Sequence, residues 1–144
     1  MLTHAPSRYE SGDYVMRTQV LSNVSEVCVS DLAERPQVAL MPIGRMLDHM
    51  LGGFGGEEEA WFSDGVSSHT ELRSLAGRFH ESLALGYVAD SAATADPRSC
   101  FARAFALYLC DRETLNTKDP RLEALFRRYL LSASFWRSSG KCKA

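Results

Sequence analysis

Hydrophobic and polar positions change their period once along this chain. Residues 14–21 and 26–29 are rich in β-branched and aromatic types, and Ser22-Asn23 between them has turn chemistry, so the two runs predict a pair of strands. A third short run, 38–41, follows Pro36 and reads as further strand. Then the spacing becomes helical: Ile43, Met46, Leu47, Met50 and Leu51 fall at i, i+3, i+4, i+7 and i+8. Pro42 suits the first turn of that helix, where a missing N–H costs nothing, and Gly52-Gly53 ends it. Leu72, Leu75, Ala76, Phe79 and Leu83 predict a second helix, closing near Gly86. Asp96-Pro97 offers an N-cap and first-turn proline for a third, with Phe101, Ala104, Phe105 and Tyr108 inward. Asp119-Pro120 repeats the device for a fourth, whose stripe is Leu122, Leu125, Phe126, Tyr129, Leu130 and Ala133. A small N-terminal sheet followed by about four helices is an α+β pattern. The whole chain, 1–144, reads as one domain, with 1–12 a loose lead-in and 136–144 a loose tail. The stripes also predict a contact: the helix over 42–51 should lay Ile43, Leu47 and Met50 against Phe105 and Tyr108.

Between the first two helices, residues 52–68 hold five glycines and three consecutive glutamates, Glu57, Glu58 and Glu59, and read as a long mobile loop. Trp61 and Phe62 within it have two readings. They anchor the loop on its own domain, or they are exposed and form a partner-binding hot spot, with the glutamates steering it towards a basic surface.

Composition narrows the function classes. With 45% hydrophobic residues in 144, the chain can bury a core without disulfides or a structural metal. A net charge of −2 argues against a dedicated nucleic-acid binder, because phosphate contacts need clustered cations. The charge is uneven: from Arg112 onwards there are eight Lys/Arg and three acids, which suits either a face for an anionic partner or a solvated helix surface with a tail. Cys28, Cys100, Cys110 and Cys142 form no CxxC pair. No apolar run approaches the roughly 18 residues of a membrane span, and the polar first dozen residues do not read as a signal peptide. The expected setting is a reducing cytoplasm, the cell's own or, for a secreted effector, a host's, with no membrane partner.

Two segments carry a resemblance. MPIGRMLDHMLGG (41–53) is similar to the HExGHALDxxLG helix of zincin peptidases of the lethal-factor type and of phage and plasmid polyvalent proteins, matching in Gly44, Leu47, Asp48, Leu51 and Gly52. SCFARAFALYLCDRETLNTKDPRLEALFRRYL (99–130) resembles the family's ExFAxAFxLYxxDPExLxxxxPxLxxLF stretch, whose leading Glu is the third zinc ligand. The two cover about a third of the chain, in the family's order. The resemblance implies a zincin-like fold, and it also locates what differs. Met41 stands where the family has its first His, Pro42 where it has the catalytic Glu, Arg45 at the second His and Ser99 at the third ligand. A thioether is a poor zinc ligand, proline offers no base, and a guanidinium opposes a dication. The resemblance therefore implies no zinc, no cofactor and no peptidase activity.

Other chemistry finds little footing. His49, His69 and His80, with the loop glutamates and Asp90, include no i, i+4 pair for a metal. Cys28 or Cys110 with His49 lacks a glycine-flanked nucleophile turn, and GGFGG is followed by no Lys-Ser/Thr for a phosphate loop. Arg45 would lie in the former cleft beside Asp48, near Ser99. There it either pairs with an acid such as Asp48 or Asp90 or receives an anionic group of a partner. The expected function is non-catalytic binding of a macromolecule, a protein partner, by an effector, phage-encoded inhibitor or regulatory factor. An alternative is a metal-independent, ADP-ribosyltransferase-like enzyme using Arg45, Asp48 and Tyr9, on the layout of RYESGDYVMRTQVLSNV.

Overall fold

The computed structural model describes residues 1–16, 18–53, 59–84 and 96–138. Its class is α+β, a small N-terminal sheet followed by helices. Strands β1 (Leu2–Thr3), β2 (Arg8–Met16) and β3 (Gln19–Cys28) form one sheet in the order β1-β3-β2. β1 is parallel to β3, and β2 antiparallel to it. The presumed lead-in of residues 1–12 thus supplies one edge strand and the start of the other.

The hairpin reverses after the Met16↔Gln19 pair, not at Ser22-Asn23. Asn23 does take a positive φ of 58°, but inside β3. Pairing passes from Glu10↔Val24 to Asp13↔Ser22, so Ser11 and Gly12 together face Asn23 alone. This is a β-bulge: Gly12 has φ 82°, and its N–H donates to Asn23 Oδ1 at 3.2 Å. The turn chemistry of Asn is real but serves the bulge. Because β1 reaches only Val27 and Cys28, the distal hairpin is two strands alone, and the cross-strand pair Val15 and Val20 is exposed.

Helix α1 (Val29–Glu34) leads directly into α2 (Pro36–Gly52), so the run 38–41 is helix rather than strand. Pro36, not Pro42, occupies the first turn. Pro42 sits inside the helix, where its ring denies the Val38 carbonyl a bond. The Pro42 carbonyl in turn accepts from the Ser25 hydroxyl at 3.1 Å, tying this point of α2 to β3.

The remaining helices are α3 (Thr70–Ala84), α4 (Pro97–Cys110), α5 (Arg112–Lys118), α6 (Pro120–Leu125) and α7 (Ala133–Ser138). Residues 136–138 of the expected tail are therefore helical, and 139–144 lie outside the described residues. The carboxylates of Asp96, Asp111 and Asp119 each accept backbone N–H bonds at the starts of α4, α5 and α6. After α6 the chain continues as a π-helical turn, Phe126–Leu130.

α2 packs most extensively on α4. The closest approach is at Gly44, where a Cβ would lie 2.9 Å from Ala102 Cα and 3.1 Å from its carbonyl oxygen. That approach decides which face of α2 is buried. Gly44 and Asp48, one residue round from the apolar stripe, are buried together with Leu51 of the stripe itself. Ile43, Leu47 and Tyr108 are partly buried against the core that contains Phe105, but Met50, expected there, is exposed. Phe101 is the hub of that core, its ring 5.7 Å from Phe62 and 5.4 Å from both Phe79 and Phe126. No helix among the described residues is long and apolar enough to cross a membrane.

Candidate functional site

The first half of α2 carries Met41, Pro42 and Arg45, and these three line a cleft of about 260 Å³ with Arg8 and Tyr9 of β2. Ser99 comes to the same place from the first turn of α4. Arg45 Nη2 donates to Ser99 Oγ at 2.7 Å, and Ser99 Oγ donates onward to Asp96 Oδ2 at 2.5 Å. The guanidinium itself lies 4.0 Å from Asp96 Oδ2. Arg45, Ser99 and Asp96 therefore form a short chain across the two helices in which each polar group has a partner. Burial pushes the Asp96 carboxyl up, but the Ser99 hydroxyl, the backbone N–H groups it caps and Arg45 outweigh this and hold it below the usual carboxylate range. The acid that pairs with Arg45 is thus Asp96, which the sequence marks only as an N-cap. Asp90, the other acid suggested, lies outside the described residues.

These side chains do not suit zinc. A thioether, a guanidinium and a hydroxyl already bonded on both sides offer no anionic or imidazole donor. Among the described residues no three His, Cys, Asp or Glu side chains come together as a metal site.

Asp48 is not in the cleft with Arg45. It is wholly buried under the second half of α2 and accepts from Ser63 N–H at 2.8 Å and Ser63 Oγ at 2.7 Å. Desolvation dominates its titration: burial pushes its pKa up to about 7 despite both Ser63 bonds. It fastens the loop after α2 to the helix.

That attachment corrects the reading of Trp61 and Phe62 as an exposed partner-binding pair. Both are core residues, 4% and 0% exposed. Phe62 enters the phenylalanine cluster through a 3₁₀ turn, Phe62–Asp64, which Gly65 ends at φ 83°. Trp61 stacks on His49, with centroids 4.7 Å apart and planes 15° from parallel, and the Arg98 guanidinium sits 4.3 Å from its centroid. Arg98 is held in turn by Asp64 at 3.1 Å. The glycine- and glutamate-rich composition of the segment conceals this, because the docking elements are a few residues contributed by its second half.

His49 Nδ1 shares a 2.7 Å hydrogen bond with the Tyr9 hydroxyl. Burial lowers the His49 pKa, and burial, followed by the charge of Glu59, pushes the Tyr9 pKa up to about 12. Glu59 accepts from Ser11 Oγ at 2.7 Å, which holds its carboxyl below the ordinary range, with the Trp61 indole a lesser contributor. Among the described residues the Trp61 Nε1 itself has no hydrogen-bond partner of good geometry. Glu57 and Glu58, the other acids of the candidate partner surface, lie outside the described residues. Tyr9 lines the Arg45 cleft, but its hydroxyl is engaged by His49, and Asp48 is absent from that cleft. The three residues named for a transferase are thus not assembled. Nor is Cys28 placed with His49: its sulfur lies 3.1 Å from Ser30 Oγ.

What remains at the surface of α2 is a shallow cleft with a self-satisfied arginine, over a buried network that joins helix, loop and sheet. Comparison with protein-family models, with curated proteins and with solved structures finds nothing that matches this chain.

Proposed function

We propose that this protein is a non-catalytic binding protein, built on a scaffold similar to that of zinc peptidases and holding a protein partner. It would act as an effector, a phage-encoded inhibitor or a regulatory factor, in a cytoplasm. The observation that carries the reading is the Arg45–Ser99–Asp96 chain. Two positions where the resemblance expects zinc ligands are occupied by side chains that satisfy each other, and neither offers a dication an anionic or imidazole donor. A second observation supports it. The positions that match the peptidase helix have architectural work here: Gly44 admits α4, Asp48 holds Ser63, Leu51 is in the core, and Gly52 lies against the Ala60 carbonyl. The positions that differ are those the chemistry would need.

The test is metal analysis of purified protein after equilibration with excess zinc and dialysis. Zinc far below one per chain, and a Tm unmoved by zinc, are expected. Tightly retained stoichiometric zinc with a raised Tm overturns the reading, since a bound metal stabilises the folded state that holds it.

A further inference from the structure

Helix α3 and the α6–π segment leave a groove between them of about 400 Å³. Its floor is apolar: Leu75 and Phe79 from α3, Leu122 and Leu125 from α6. Its rim is cationic, with Arg78 on the α3 wall and Arg121 and Arg128 on the other, against a single acid, Glu81. All three arginines are exposed. A different pair shows what this segment does with arginines when they serve the fold: Arg112 and Arg127 both bond the buried Glu123. Arg78 and Arg128 make no comparable ion pair among the described residues. Arg128 also lies on the π turn, a rare helix geometry that frequently occurs at functional sites.

We propose that this groove docks an acidic amphipathic helix of a protein partner. Apolar side chains one turn apart would enter the floor, and carboxylates on either flank would meet the arginines. Guanidinium favours carboxylate through paired, parallel hydrogen bonds. Arg78 and Arg128 stand on the two opposite walls, so a docked helix can meet them with a carboxylate on either flank. Two helical walls around an apolar floor are the usual receptor for such a ligand, and the volume lies within the ordinary range of binding pockets. Two of the basic residues in the last third of the chain, Arg121 and Arg128, then belong to a binding face rather than to a merely solvated surface. The proposal rests on the binding reading above, and gives it a surface and a partner chemistry.

The probe is a fluorescent peptide of about four helical turns, leucine on one face and glutamate on the other, with a control in which lysine replaces glutamate. Fluorescence anisotropy should show saturable binding of the acidic peptide and none of the control. Arg78→Glu combined with Arg128→Glu should weaken binding about tenfold or more, because it reverses the rim charge. Arg78→Gln with Arg128→Gln should weaken it in the same direction, and circular dichroism checks that each variant folds. Binding that ignores both double variants overturns the proposal. So does arginine-dependent binding to phosphatidylserine vesicles in place of peptide, or self-association of the chain that the variants abolish. Peptide binding lost in Arg45→Ala but kept in the groove variants would move the site to the cleft, removing the groove while leaving the binding reading standing. Stoichiometric zinc removes that reading whatever the peptide does.

Discussion

The two halves of α2 differ more than their common stripe suggests. The first half, with Met41 and Arg45, faces a cleft, is partly exposed and makes polar contacts whose loss water can compensate. The second half, with Asp48, His49 and Leu51, is closed over by the Trp61–Asp64 turn, and its polar groups are satisfied by protein alone. One helix is thus a surface at one end and a keystone at the other, and substitutions should separate the two.

Phe62→Ala should have the largest effect. It empties the centre of the aromatic cluster beneath the second half and should cost about 3–5 kcal/mol, read by urea unfolding. A loss below about 1 kcal/mol would mean that the turn does not close the helix end.

Asp48→Asn tests the buried carboxyl through pH. The folded pKa of about 7 lies above the unfolded value, so the native state holds a proton that the unfolded chain has released. This contribution is fully present below about pH 4 and fades as pH rises towards 7. His49, with a lowered pKa, works in the opposite sense, losing its contribution as pH falls below about 6.5. The difference between wild type and Asp48→Asn isolates Asp48, because both proteins contain His49. Wild type should gain on the variant between pH 8 and pH 5, by a swing of roughly 2–3 kcal/mol. A pH-independent difference would show that Asp48 titrates normally.

These residues also mark how far the sequence could be read. Helices α3 and α4 were legible, because regular stripes and, for α4, an Asp-Pro cap act locally, whereas the stripe read as one fourth helix divides into α6, the π-helical turn and, at Ala133, α7. The short helices α1, α5 and α7 have too few residues to show a period. The run 38–41 misleads because β-branched and apolar types without polar spacing suit a buried strand as well as the start of a helix, and only Pro36 separates the two. At the site, the resemblance singled out Met41, Arg45 and Ser99; Met41 and Arg45 line one cleft, and Arg45 bonds Ser99. Asp48 was not legible. A carboxylate beside an arginine on a helix looks like its ion-pair partner, and only the fold reveals that Ser63 arrives on the other side. Arg98 and Tyr9 join the Trp61–His49 stack through contacts 37 and 52 residues apart in sequence, which no local pattern encodes.

Arg45→Ala should have the smallest effect on stability, under about 1 kcal/mol, as expected for a partly exposed ion pair. Ser99 keeps its bond to Asp96, so the start of α4 stays capped. A Tm drop as large as that of Phe62→Ala would make both halves of the helix structural and erase the distinction between them.

The bulge at Gly12 and Asn23 divides the hairpin into two mechanical units. On its near side the strands are clamped: Ser25 reaches α2 through the Pro42 carbonyl, and Glu26 bonds Arg8. On its far side Tyr14 is still tied back to Glu26, but around the exposed Val15 and Val20 the described residues show only the ladder itself, and two strands alone are at best marginal in water. The far end can therefore unzip and re-form as a local event, its backbone amides trading hydrogen with solvent long before those of Val27 and Cys28, which wait for the whole protein to open.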